Sequence, residues 1–283
     1  MINFVGKISL FLCIFYVVDS IENPPLNTFV ALNQCFELKK GFKIDITEAH
    51  MTGTDSIQFK DDCLRACLKT LFQNNFTCRS LMHMPRDDDC VLTSMSEYTG
   101  AKVEKVEDFG FMSTINYFEN KCAKSPFGKP AATAEASMSS YKGNRAIFQI
   151  GEVAGKAPLI LALIDGIRAN SLVDINIKHE HVKDCFALKR KDVKLSDRLL
   201  QMFTDSSGMA VYPWGEADLK ILGKNYLGST VIIIDTMSQK VIDCGIIQIK
   251  GNPDEYEAIK SFSSSFSLKF IVAFTFFTFL FNL

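Results

Sequence analysis

The apolar positions of this chain follow two different periods. Between Arg145 and Ile249 they form short runs with the alternation of strands: Ala146–Ile150, Leu159–Ile164, Leu172–Ile177, Ala217–Leu222, Ser229–Asp235 and Val241–Ile249. Asp165-Gly166, Ser206-Ser207-Gly208 and Asp243 to Gly245 punctuate these runs and no long amphipathic helix intervenes, so the region predicts an all-β sandwich or barrel. Earlier in the chain the period lengthens. Leu64, Cys67, Leu68 and Leu71 share one helical face, and Asp61 and Asp62 stand at the start, where the helix dipole favours acids. Short β-like segments surround that helix, at Phe36–Ile46, Phe76–His83, Cys90–Thr93 and Ile115–Glu119.

Both ends carry apolar runs of another kind. Lys7 is followed by Ile8 to Val18 and then Asp19-Ser20, which predicts a cleaved signal peptide over residues 1–20. Phe270 to Leu283 is almost entirely apolar, but at 1.5 Å per residue it reaches only about 21 Å against a hydrocarbon core of about 30 Å. With the serine-rich stretch before it, the arrangement predicts a glycolipid attachment signal, a short embedded anchor being the alternative. The attachment residue stays open among Ser261, Ser263 and Ser264. Residues 21–34 form an N-terminal segment and 251–269 the spacer that contains the attachment region. Between the helical block and the strand-rich block, 123–144 is rich in Ala, Ser, Pro, Gly and Lys, a composition that predicts a linker.

The cysteines give the compartment. Of nine, Cys13 lies in the leader, Cys35, Cys63, Cys67, Cys78, Cys90 and Cys122 fall in the helical block, and Cys185 and Cys244 in the strand-rich one. An even count in each block predicts two separately cross-linked domains outside the reducing cytosol, on the outer face of the plasma membrane or secreted. Cys63 and Cys67 on one helix could also be metal ligands, but zinc pairs are usually closer and an oxidising setting favours disulfides. A net charge of −1 without long runs of one sign argues against a nucleic-acid partner. Asn75-Phe76-Thr77 is a glycosylation sequon just before Cys78.

Cys35, the DDCLRAC of the helix, FTCRS at 76–80, CVLTS at 90–94 and INYFENKC at 115–122 resemble a PAN/apple domain across 35–122. The resemblance implies one helix packed on a small antiparallel sheet with Cys35 joined to Cys122, Cys63 to Cys90 and Cys67 to Cys78. It implies a binding module for an extracellular protein or glycan. Arg65, Lys69, Arg79, Arg86 and the acids Asp87 to Asp89 are read as a solvated rim.

In the strand-rich block, LALIDGI at 161–167, the segment TDSSGMAVYPWGEADLKILGKNYLGSTVIII at 204–234, and VIDCGIIQI at 241–249 resemble the copper/zinc superoxide dismutases over about 145–250. That resemblance implies a Greek-key barrel with Cys185 joined to Cys244. The family's metal centre needs six imidazoles and a carboxylate, whereas this chain has four histidines in all. By the family's spacing the first copper pair falls on Asp174 and Asn176, the late copper ligand on Ile234 and the guiding arginine on Val241. The expectation is therefore a non-catalytic barrel without catalytic residues or cofactor. The alternative is a divergent dismutase or a weak copper or zinc site at His179 and His181, which would share a face if their segment were a strand. Trp214 and Met209 are read as core or turn packing.

Overall fold

The computed structural model describes residues 28–54, 57–73, 75–106, 115–127, 131–139, 143–153, 156–193, 197–217, 219, 221 and 226–261. The expected leader, Ser263, Ser264 and the apolar tail lie outside them.

The described chain is mostly antiparallel sheet with few helices and four disulfides. Its first half begins with α1 (Thr28–Cys35), β1 (Phe36–Lys40), β2 (Phe42–Ile44), β3 (Met51–Thr54) and α2 (Lys60–Lys69). It continues through β4 (Ser80–Met84), β5 (Asp89–Thr93), β6 (Val103–Lys105) and β7 (Asn116–Asn120). Five of the strands form one sheet in the order β1-β7-β4-β5-β3, while β2 and β6 pair separately. Helix α2 forms where the apolar period predicted it, with Asp61 and Asp62 in its first turn and Lys69 in its last. Cys63, Leu64, Cys67 and Leu68 are its buried face, and they pack with Leu81, Leu92 and Phe118 of the sheet.

The second half comprises β8 (Ala132–Ser139), β9 (Arg145–Glu152), β10 (Leu159–Asp165), β11 (Leu172–Lys178), β12 (Arg198–Phe203), β13 (Ala210–Glu216), β14 (Thr230–Asp235), β15 (Lys240–Ile246), β16 (Gln248–Ile249) and a helix α3 over 253–261. Two sheets, β13-β10-β9-β8-β16 and β12-β11-β14-β15, face each other. Phe148, Ile150, Ile160, Ala162 and Ile164 from the first meet Val173, Ile175, Ile177, Met202, Val231 and Ile233 from the second in one core. Gly245 lets β15 approach β8: a Cβ there would stand 2.8 Å from the Ser137 carbonyl oxygen.

Several expectations from composition and period change. Residues 132–139 are not linker but strand β8. Ala132, Ala134, Ala136 and Met138 point into the core while Thr133, Glu135 and Ser137 point out, a period-2 pattern written in small residues. Part of the expected spacer is helix α3, whose buried Tyr256 donates a hydrogen bond to the Ile221 carbonyl at 2.9 Å. Ala217–Leu222 forms no strand among its described residues. Leu219 and Ile221 are instead buried in the core, and the Ile221 amide donates to Glu152 at 2.6 Å.

The halves also touch. Leu161 and Leu163 of β10 and Val211 of β13 point away from the sandwich core and belong to the same apolar cluster as Ala31, Leu32, Leu64 and Leu68 of α1 and α2. Strand β10 is therefore buried on both faces, which is why its sequence reads as a continuous apolar run rather than an alternating one.

Candidate functional site

Antiparallel register assembles the positions that the dismutase resemblance singles out. Across the outer face of the four-stranded sheet, one row runs Gln201 (β12), Asp174 (β11), Ile234 (β14) and Val241 (β15). The next row runs Arg198, Asn176, Ile232 and Cys244. The structure thus brings Asp174, Asn176, Ile234 and Val241 together. Their chemistry is divided between two sides of the face. On the β12 side, Gln201 Nε2 donates to Asp174 Oδ1 at 2.8 Å, and the Arg198 guanidinium lies 3.9 Å from that same oxygen. On the β15 side, Ile232 and Ile234 form an apolar cluster with Val193, Leu188, Val241 and Cys244. The segment supplying Leu188 and Val193 is tied down over the sheet by the Cys185–Cys244 bridge.

The histidines stand elsewhere. Strand β11 ends at Lys178, so His179 and His181 lie beyond it, His179 in a bend, and both are exposed. His179 rests against the Tyr226 ring with centroids 4.8 Å apart. Glu180 is held by Lys178 at 2.7 Å, and its backbone carbonyl accepts from Thr230 Oγ1 at 2.8 Å. Among the described residues no group of three or more His, Cys, Asp or Glu could hold a metal ion. The remaining histidines are not adjacent to these: His83 is buried in β4 and His50 meets Ser94 Oγ at 3.4 Å.

The eight cysteines pair as Cys35–Cys122, Cys63–Cys90, Cys67–Cys78 and Cys185–Cys244, the four pairs expected from the sequence. Asn75 is exposed in the loop between α2 and Cys78. Ser261 is the last described residue, in α3, with Oγ donating to the Ala258 carbonyl at 2.8 Å.

Two of the residues read as a solvated rim are engaged by acids. Arg65 on α2 donates from Nε to Asp205 Oδ2 at 2.6 Å and from Nη1 to Asp62 at 2.9 Å, and Lys69 reaches Asp165 at 3.2 Å. Burial pulls the Arg65 guanidinium downward, but its bonds to Asp205 and Asp62 outweigh that and hold it above its ordinary value. Burial likewise pushes Asp205 up, and its bonds from Ser207, the Met209 amide and Arg65 bring it below the usual carboxylate range. Trp214 Nε1 donates to the Cys122 carbonyl at 3.2 Å, so Trp214 and Met209 pack at the contact between the halves. No local sequence signal marks Arg65 and Asp205 as partners, because 140 residues separate them.

The far face of the first sheet carries a second polar group. Tyr117 and Glu119 of β7 point away from α2; the Tyr117 hydroxyl donates to Glu119 Oε2 at 3.2 Å and accepts from the Glu97 amide at 3.2 Å. Lys39 pairs with Glu97 beside them. Burial pushes the Tyr117 hydroxyl up to about 12 and raises the Glu119 carboxyl. This cluster was not foreseen; only the alternation of Tyr117 and Glu119 with Phe118 and Asn120 hints that they share a face.

No protein-family model matches the chain. It is 31% identical over 253 residues to "Uncharacterized protein C34C12.7" of Caenorhabditis elegans, spanning 88% of this chain and 86% of that one. The chain belongs to the family of that nematode protein. A match of that length necessarily runs through both halves.

Proposed function

We propose that this is an extracellular, membrane-tethered protein whose first half is a PAN/apple-type module binding a protein or a glycan, and whose second half is a dismutase-type barrel that does no redox chemistry. The observation carrying the second part is the composition of the outer sheet face. Where copper would require imidazoles, β11 and β14 offer Asp174, Asn176, Ile232 and Ile234, the last two under an apolar cover of Leu188 and Val193. A carboxylate and an amide among aliphatic side chains do not supply the neutral nitrogen donors that tune copper between two oxidation states. Support for the first part is the arrangement of α2 on a five-stranded sheet with three bridges at the positions of the resemblance. The pairing of eight cysteines into four bridges supports the compartment, and the exposure of Asn75 supports its glycosylation. The lipid attachment point is Ser261, Ser263 or Ser264.

Metal analysis and a superoxide assay on the protein purified from a secreting host test the barrel. Absence of stoichiometric copper or zinc together with no dismutation is expected; copper near one equivalent with dismutation overturns the reading. Release from cells by phosphatidylinositol-specific phospholipase tests the tether.

A further inference from the structure

In the outward-facing side chains of β10 and β13 lies a feature that neither half explains by itself. In a sandwich standing alone, Leu161, Leu163 and Val211 would face water, yet each is at most 1% exposed because α1 and α2 cover them. The contact is built with polar detail at its border. Arg65 bridges Asp62 on its own helix and Asp205 on the loop between β12 and β13. Asp205 is itself fixed by accepting from the Ser207 amide at 2.9 Å, Ser207 Oγ at 2.7 Å and the Met209 amide at 2.9 Å. That loop passes so near Ile167 that a Cβ on Gly208, at φ +80°, would collide with the Ile167 carbonyl oxygen. On the same border Lys69 meets Asp165, and on the other Trp214 reaches the Cys122 carbonyl while its ring meets Phe127 edge-on with centroids 6.4 Å apart. Phe127 in turn lies so close over Gly151 of β9 that any side chain there would clash with its ring.

We infer that the two halves are one cooperative body, in which the β10–β13 face is the permanent internal partner of α1 and α2. Contacts between domains of one chain are ordinarily polar and transient. This one has an apolar centre, its charged side chains are paired across it, and glycines and aromatics are fitted at its edges, as in a core. The helix side of the first half is therefore closed to outside partners. This last step rests on the proposed reading of the first half as a binding module; the joint folding of the halves does not.

Scanning calorimetry and amide hydrogen exchange on the full secreted chain test the inference. One transition is expected, with Val211→Asp lowering protection in α2 at least tenfold although the substitution lies in the other half. Should Val211→Asp not accumulate as folded protein, Arg65→Ala serves: it is expected to lower the single transition and raise exchange in the 205–209 loop. Two separate wild-type transitions, with Arg65→Ala shifting only that of the first half, would overturn it. Neither readout depends on a ligand, so a missing binding activity would count against the proposed function and leave this inference standing.

Discussion

Six of the buried side chains around α2 are half-cystines, whereas the core between the two sheets of the second half contains none. The first half has two short helices and a sheet of short strands with which to enclose apolar surface, and small folds of that kind need covalent staples to offset chain entropy. The second half fills its interior with Phe148, Ile150, Ile160, Ile175 and Ile233, and its one bridge among the described residues lies on the outside, fastening a loop over a sheet face. Stability therefore resides in bonds on one side of the molecule and in packing on the other. The two should answer to different perturbations even though they unfold together.

The largest effects break each half by its own mechanism. Phe148→Ala, which empties a fully buried ring position, is expected to cost about 3–5 kcal/mol in chemical denaturation whether or not reductant is present. Cys63→Ser should cost about 2–5 kcal/mol by removing the bridge to Cys90. In wild-type protein, reductant should lower the joint transition by at least the second loss, because it opens the other bridges as well. A transition that reductant leaves unmoved would contradict the comparison.

How much of this was legible follows from the same division. The cysteine count and the apolar face of α2 are local signals, and both were readable. Strands β9, β10, β11 and β14 were also visible, because Ile, Leu, Val and Phe mark them strongly. Strand β8 was hidden because its inward residues are Ala132, Ala134 and Ala136, which composition alone assigns to a linker. Strand β12 was hidden because Arg198–Phe203 breaks alternation at Leu199-Leu200, beside a register shift opposite Ile175. Asp174 and Ile234 could be counted by spacing, but that Leu188 and Val193 cover that face depends on a loop path no periodicity encodes. Arg65 looked like any exposed helix cation until the fold placed Asp205 before it.

At the boundary between the halves the effects are smaller and depend on pH. Asp205 has a carboxyl held below its ordinary value, so its contribution is present above the unfolded value of about 3.9 and is lost as pH falls through the folded one. Asp205→Asn should cost about 1.5–3 kcal/mol near neutrality, the range for hydrogen bonds to charged groups. The gap in Tm between wild type and variant should narrow as pH is lowered from 7 toward 3. A gap independent of pH would mean that charge at Asp205 contributes nothing. Glu119 has the opposite sign, since burial raises its carboxyl: ionisation costs stability at neutral pH, and the cost fades as pH drops below the raised value. Glu119→Gln, which keeps an acceptor for the Tyr117 hydroxyl, should raise Tm slightly at pH 7 and leave it unchanged in acid.

The smallest expected effect concerns the exposed end of β11, in contrast with the buried outer face a few residues earlier. His179 and His181 are exposed past the strand's end, with Glu180 already engaged by Lys178, so removing both imidazoles by His179→Ala and His181→Ala should cost less than about 0.5 kcal/mol, as surface changes do. A metal bound only by the native state would add RT ln(1 + [L]/Kd) to stability, so chelation would lower Tm if these side chains held one. The full chain should instead melt at the same temperature with and without chelator, and the double variant should follow it. A drop of several degrees on chelation, restored by copper or zinc and absent in the double variant, would move the chemistry of this protein from its buried sheet face to the His-Glu-His bend.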